Sequence, residues 1–489
     1  MKSKKIFSFF SLILASLMLV SCGESFLEKT NPASLTYDKF YNTEADFQAA
    51  LNGCYYRLKD HAIHMMHFNE TTTDNTFINP YDATSGYYPY DLMVIPSSSG
   101  GIRDYWQICY QTISAANMVI TRIKGSQVSE TAQKVFVSEA KFIRAWTYFN
   151  MVRIYGGVPL YYEEPSNLSM VYDVGRATVE EIYNFIISDL IDAQNIDNER
   201  NAQQRASAKG KVSSAAVKAL LGKVYLFKGD YANATSVLTD VINNSGYRLL
   251  DNLDDIYNPD TPFNDEVILA INYERVSGQN SPLTGQTLPK FSRGILPNVT
   301  SSDNGSGTFM IEDKTFRTFT SDDKRRALID SADIMLGADL YNFYYTKKYC
   351  DLGTTSTGYS ASDFILLRFA DVLLMCADAA NQSGNTTGAY QYVNAVRRRA
   401  GLGDLPAGLT KEQMNDALAV ERQKEFICEG DRWFDLSFRG FDYLKKTLNE
   451  FAPGSNQPTV EIKDHMVLFP IPADQIDLKP GVLVQNTGY

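Results

Sequence analysis

Residues 421–436 read ERQKEFICEGDRWFDL. Glu421, Glu425 and Glu429 recur every four residues, so on a helix they share one face. Like charges at that spacing repel by roughly 0.2–0.5 kcal/mol per pair unless cations compensate them. Arg422, Arg432 and the upstream run Arg397, Arg398 and Arg399 are the candidate partners. Phe426, Ile427 and Cys428 interrupt the charges, and Trp433, Phe434 and Leu436 close the stretch. A charged stripe flanked by aromatics predicts a packed helix with a partly buried ion-pair network.

Working outward, the neighbouring segments are also helical. Residues 363–376, DFILLRFADVLLMC, and 393–402, VNAVRRRAGL, carry helical patterns. Residues 209–250 form the clearest repeat: Leu221, Gly222, Tyr225, Gly229, Tyr231 and Ala234 fall at the spacings of a tetratricopeptide helix pair. Small residues let the two helices approach, and Gly229 with Asp230 makes the turn. A looser copy spans 369–399, but the period is not sustained, which predicts a helical scaffold with insertions and not a regular solenoid. Toward the N-terminus, Thr178 with Glu181 forms a capping box, and residues 139–160 form a helix that Gly156, Gly157 and Pro159 terminate. Trp106 opens another helical pattern as a core residue. The first helix is read over 43–58, with Thr43 as N-cap and Asp46 three residues on. Residues 264–272 read as a short strand.

Two long segments interrupt this order. Residues 61–101 hold Asp74, Asn75, Tyr81, Tyr87, Tyr88 and Tyr90 without a sustained helical period. Residues 273–347 are loop-like and hold Phe291, Arg293, Tyr341, Tyr344 and Tyr345. Long aperiodic stretches inside a helical protein point to function.

At the N-terminus, Lys2, Lys4 and Lys5 precede a fifteen-residue apolar run, Ile6 to Val20, too short for a comfortable membrane span. It ends in LVSC at Cys22, which is read as the lipidation site of a bacterial lipoprotein signal. Cleavage removes three lysines and no acid from the 489-residue chain, leaving 43 basic against 57 acidic side chains, a balance of −14. That argues against nucleic-acid partners, which need basic surfaces. Hydrophobic residues make up 44%, a globular composition. Cys54, Cys109, Cys350, Cys376 and Cys428 contain no Cys-x-x-Cys and are expected as buried thiols with at most one disulfide.

The 421–436 stretch resembles the signature of the SusD/RagB family, the surface nutrient-binding lipoproteins of Bacteroidota. Further matches follow in the family's order: residues 106–123, EAKFIRAWTYFNMVRIYGGVPL at 139–160, 363–376, 393–402, and the tail VLFPIPADQI with QNTGY, where Thr487 replaces the family's usual Pro. Asp371 and Asp378 stand where the family usually has Glu. The resemblance covers nearly the whole mature chain except the two insertions. It implies a mainly α fold, an irregular tetratricopeptide-type superhelix with long loop insertions and a few short strands. The expected organisation is a signal peptide over 1–21, an N-terminal region over 22–228 and a C-terminal region over 229–489, the last two forming one compact body. It further implies a lipid-anchored, non-catalytic outer-membrane protein, facing the cell surface. Such a protein captures oligo- or polysaccharide and passes it to a SusC-like TonB-dependent transporter. A peptide binder of the same family and a surface glycoside hydrolase are the alternatives.

The residues bear on those choices. The Glu421 and Glu425 carboxyls could approach the ~5–5.5 Å of a retaining glycosidase pair. Catalytic carboxylates rarely come from successive turns of one packed helix, so the ion-pair reading is preferred. His61, His64 and His67 form an H-x-x-H-x-x-H array whose three rings would not converge easily on one metal, and His465 is isolated. The acids Asp251, Asp254, Asp255, Asp260, Asp265 and Glu266 lack the spacing of a calcium loop and are read as mostly solvated. Phosphate-loop and dinucleotide fingerprints are absent, and no cofactor or metal is expected. Tyr81, Tyr87, Tyr88 and Tyr90 are the foremost sugar-stacking candidates, Tyr88 and Tyr90 sharing a side if the segment is extended. Asp74 and Asn75 are candidates for bonding sugar hydroxyls. Arg293, Tyr344 and Tyr345 are candidates from the second insertion.

Overall fold

A computed structural model describes residues 40–79, 86–167, 169–200, 208–292, 294–299, 305–336, 338–450 and 461–489. Helix α1 (Glu44–Met66) begins at the capping box that its sequence specifies: the Asp46 amide donates to Thr43 Oγ1 at 3.3 Å, and the Thr43 amide donates to Asp46 Oδ2 at 2.8 Å. It runs past the expected end at Leu58 and continues as a π-helical turn over His67–Thr71. Burial explains the extension: His61, Ala62, His64, Met65, Met66 and the whole π turn are packed inside, so tertiary contacts override a weak local period.

The scaffold follows as α2 (Gly100–Arg122), α3 (Glu130–Tyr155), α4 (Val179–Ala193), α5 (Ser214–Lys228), α6 (Tyr231–Asn244), α7 (Phe369–Gln382) and α8 (Thr386–Arg399). Each packs on the next in sequence, from α1 on α2 through α7 on α8, which gives the superhelix of helix pairs. The α5–α6 hairpin shows why small residues recur. A Cβ on Gly222 would sit 2.4 Å from Leu238 Cγ, so only glycine allows this approach. Gly229, at φ +83°, makes the left-handed turn. The 228/229 boundary falls at that turn, inside a helix pair. Helices α9 (Lys411–Phe426), α10 (Arg432–Phe438) and α11 (Phe441–Glu450) then close the C-terminal side. The tail returns to the end of α3, where Asn486 Nδ2 donates to the Tyr155 carbonyl at 3.1 Å.

Strands form two small sheets. In the first, β1 (Thr76–Phe77), β3 (Met310–Ile311), β5 (Asp339–Thr346) and β4 (Ile329–Leu336) lie in the order β1-β3-β5-β4. In the second, β2 (Val267–Ile271) pairs antiparallel with β6 (Phe364–Arg368). The segment 363–376 is therefore a strand followed by a helix, because the run FILLR is a short apolar stretch that β2 satisfies. Residues 273–347 are likewise not all loop. Their β4–β5 hairpin is marked by Tyr341, Phe343 and Tyr345 alternating along β5. Cys54, Cys109, Cys376 and Cys428 are buried, Cys350 is half-buried, and all five are free thiols. Trp106 is a core residue.

Candidate functional site

The 421–436 stretch builds a buried charge lattice. Glu421 accepts from Arg325 at 2.6 Å and from Arg397 at 3.0 Å. Glu425 accepts from Arg368 at 2.6 Å, from Arg325 at 3.2 Å and from Arg399. Glu429, just beyond α9, accepts from Lys348 at 2.6 Å and from Arg368 Nε at 2.9 Å. Burial pushes the Glu425 carboxyl up, but Arg399, Arg368 and Arg325 together hold it well below the usual range. Arg422 turns to the other side, toward Asp371, Asp378, Asp431 and Asp435, while Arg398 pairs with Asp404. Glu266, read from sequence as solvated, is fully buried between Arg368 and Arg399. The oxygens of Glu421 and Glu425 are thus spent on guanidinium groups, and the pair has no opening for a glycosidic bond.

Arg432 and Gln423 reach from this stretch into the first insertion. Asp74 takes both Nε and Nη2 of Arg432, at 2.8 and 2.7 Å, and Gln423 Nε2 at 2.7 Å. Asn75 Oδ1 accepts from the same Gln423 nitrogen at 3.0 Å, and its Nδ2 donates to Glu70 at 2.7 Å. The Gly430 amide donates to the other Glu70 oxygen at 2.8 Å. Burial pushes the Glu70 carboxyl up to about 7. Asp74 and Asn75, expected to meet sugar hydroxyls, are 6% and 1% exposed, and their polar atoms bolt the insertion to the C-terminal helices.

The tyrosines of this insertion divide. Tyr88–Asp91 is a short helix and not an extended run, so Tyr88 and Tyr90 do not share a side: Tyr88 is half-buried, while Tyr90 is fully buried with its hydroxyl 2.9 Å from Ser99 Oγ. Tyr87 stacks on His67, with ring centroids 3.5 Å apart and planes at 2°, and its hydroxyl lies 3.0 Å from His64 Nδ1. The histidine array is a packed aromatic stripe. Burial pushes His61 down to about 3, His64 down to about 4 and His67 well below the usual imidazole value. Among the described residues no group of three His, Cys, Asp or Glu is placed to hold a metal ion. Tyr81, Arg293 and Cys22 lie outside the described residues.

The two insertions meet. β1 pairs with β3, Asn79 N donates to the Gly307 carbonyl at 2.9 Å, Glu312 N donates to the Asn75 carbonyl at 3.0 Å, and Thr315 Oγ1 donates to the Asp74 carbonyl. Along β5, Tyr345 faces a small apolar core with Phe343 and Ile334 and is buried. Tyr344 faces the opposite way and stacks on Phe316, with centroids 3.9 Å apart and planes at 22°. Arg326 lies 4.3 Å from the Phe316 ring centre. Ser331 opposes Tyr344 across the hairpin, and Asp333, hydrogen-bonded to Asn342 at 2.8 Å, is next along it. Ser331, Asp333, Asn342 and Arg317 are exposed. A half-buried aromatic stack bordered by hydroxyl, carboxylate, amide and guanidinium groups suits a sugar ring, which has apolar CH faces and hydroxyl edges. Sequence reasoning reached Tyr344 but missed Phe316, Arg317 and Arg326. The alternation along β5 was a usable signal for the hairpin; nothing in the sequence marked Phe316.

Residues 25–226 match a family described as "Starch-binding associating with outer membrane", and residues 330–489 match the SusD family. SusD-like protein P25 of Formosa agariphila is 28% identical over 531 residues, covering 98% of this chain and 99% of that protein. A SusD-like protein of Bacteroides ovatus is 27% identical, covering 89% of this chain and 83% of that protein. Among solved structures, a laminarin binding SusD-like protein superposes with a TM-score of 0.75 at 24% identity, over 92% of this chain and 100% of that one. B. fragilis NanU superposes with a TM-score of 0.77 at 23% identity, over 94% and 99%. These superpositions establish a common fold.

Proposed function

The chain belongs to the SusD/RagB family, and from that premise we propose that it is a non-catalytic glycan-binding protein of the outer membrane. It captures oligo- or polysaccharide on the face where its two insertions meet and delivers it to a SusC-like TonB-dependent transporter. The observation that carries the binding site is the half-buried Phe316–Tyr344 stack bordered by polar side chains; the Glu421 and Glu425 carboxylates are spent on guanidinium groups. Tyr344 contacts sugar in this reading, and Tyr81, Tyr88 and Arg293 are further contacts proposed from the sequence of the two insertions. Asp74, Asn75, Tyr87, Tyr90 and Tyr345 act from beneath, by holding the face in shape. Among the described residues no helix is long and apolar enough to cross a membrane, and a lipid on Cys22 supplies the attachment.

The test uses the mature chain with Cys22 replaced, passed over immobilised polysaccharides, with released reducing sugar assayed in parallel. Retention on a glycan without release is expected. Replacing Phe316→Ala and Tyr344→Ala together should weaken that retention tenfold or more, since aromatic contacts of this kind contribute about 0.5–1.5 kcal/mol each beyond their area. Sugar release, or unchanged retention in a folded double variant, would refute the reading.

A further inference from the structure

A cavity of about 440 Å³ opens on the helical scaffold, and none of its lining residues belongs to either insertion. It lies between α2, the segment after Pro159 and the C-terminal segment. Three rings form its apolar wall: Trp106 and Tyr110 have centroids 5.1 Å apart, and Tyr110 and Tyr161 5.5 Å apart at 75°. The tyrosines are locked by their hydroxyls. Tyr110 donates to the Pro159 carbonyl at 2.9 Å, and Tyr161 donates to the Val171 carbonyl at 2.9 Å while accepting from Lys479 at 2.9 Å. Rings fixed only for packing would be close-packed, yet these border a space within the size range of small-molecule sites.

The rim is polar and uncharged where it is most exposed. Gln107, Gln111 and Ser114 recur at helical spacing on the solvent side of α2, and Gln475 stands on the C-terminal segment. Among the described residues no carboxylate lines the cavity. The Lys479 amino group spends its donors on Tyr161 and the Val171 and Val174 carbonyls, while Arg57 donates to Gln111 Oε1 at 2.9 Å and keeps its charge. Preorganised aromatic faces, with amides, a hydroxyl and the Arg57 guanidinium as hydrogen-bonding groups and no carboxylate to repel hydroxyl oxygens, match a sugar ring. We propose that this cavity is a second carbohydrate site, binding one or two neutral hexopyranose units independently of the insertion face.

Trp106 gives the readout, because Trp146 and Trp433 lie elsewhere in the core. The mature chain is titrated with glucose, galactose and mannose, and with maltose and cellobiose, following tryptophan emission and calorimetry. Saturable binding of at least one sugar, with a Kd on the order of 1–10 mM, is expected. Ser114→Phe, at an exposed position, fills the mouth of the cavity and should weaken that binding tenfold or more, with the circular dichroism spectrum retained. The Phe316→Ala/Tyr344→Ala variant should lose only the insertion-face contribution to the heat and keep the tryptophan response that Ser114→Phe removes. No saturable response with any of the five sugars overturns the proposal. So does a response that Ser114→Phe spares and the insertion-face variant removes, which would leave the insertion face as the sole sugar site.

Discussion

His67 is a neutral ring doing the work of a phenyl group. It stacks on Tyr87, and its Nδ1 has no hydrogen-bond partner among the described residues. Its folded pKa, with those of His61 and His64, is depressed by burial, so the unfolded chain takes up these protons first. The stability they contribute is complete above the unfolded value near 6.5 and is lost as pH falls toward the folded values. Glu70 acts in the opposite sense: its folded pKa of about 7 exceeds the unfolded carboxyl value, so its contribution is lost as pH rises from about 4.5 to 7. A variant isolates one term. His67→Phe keeps the stack and removes a titrating group. Its stability relative to the parent should improve steadily as pH falls from 7.5 to 4.5, measured by urea denaturation. At Glu425 the loss is larger. Glu425→Gln leaves Arg325, Arg368 and Arg399 short of a buried counter-charge and should cost about 3–5 kcal/mol in the same assay.

At the scale of elements, close approach governs the helix pairs. Gly222→Ala places a methyl group against Leu238 across the α5–α6 hairpin and should destabilise by about 1–3 kcal/mol, seen as a lower thermal midpoint. This pair was legible because its determinants are local: Gly222 and Gly229 stand at fixed spacing, and Ser213 caps α5 through the Ala216 amide. The Thr43 and Thr178 capping boxes were legible for the same reason. The run FILLR was read as helix because a short apolar stretch has no period of its own, and only β2 decides its state. The charge lattice was half legible. The repeat of Glu421, Glu425 and Glu429 announced a need for cations, and Arg397 and Arg399 meet part of it. Arg325, Arg368 and Lys348 arrive from distant chain, where spacing carries no information. Asp74 and Asn75 were read as candidates for bonding sugar hydroxyls for that reason also, since Arg432 and Gln423 are invisible as neighbours until the fold brings them there.

At the scale of the molecule, these long-range bonds join the ends of the chain. α5 packs on both α6 and α7, so the regions on either side of residue 229 share continuous packing. Thermal unfolding of the mature chain should show one calorimetric transition; two separated peaks would mean independent units. Asp74→Ala should lower that midpoint and also weaken glycan retention, because it frees the insertion from α10 and leaves Arg432 buried without its counter-charge. The bolt between Asp74 and Arg432 also has a consequence in time. The two residues are 358 apart in sequence, so during synthesis the first insertion is finished long before its anchor exists. The face where the two insertions meet must therefore be among the last parts of the protein to mature, after nearly the whole polypeptide has been made. Until then, the aromatic side chains beneath it lack their final cover, and that interval is when the nascent chain has the greatest need of a chaperone.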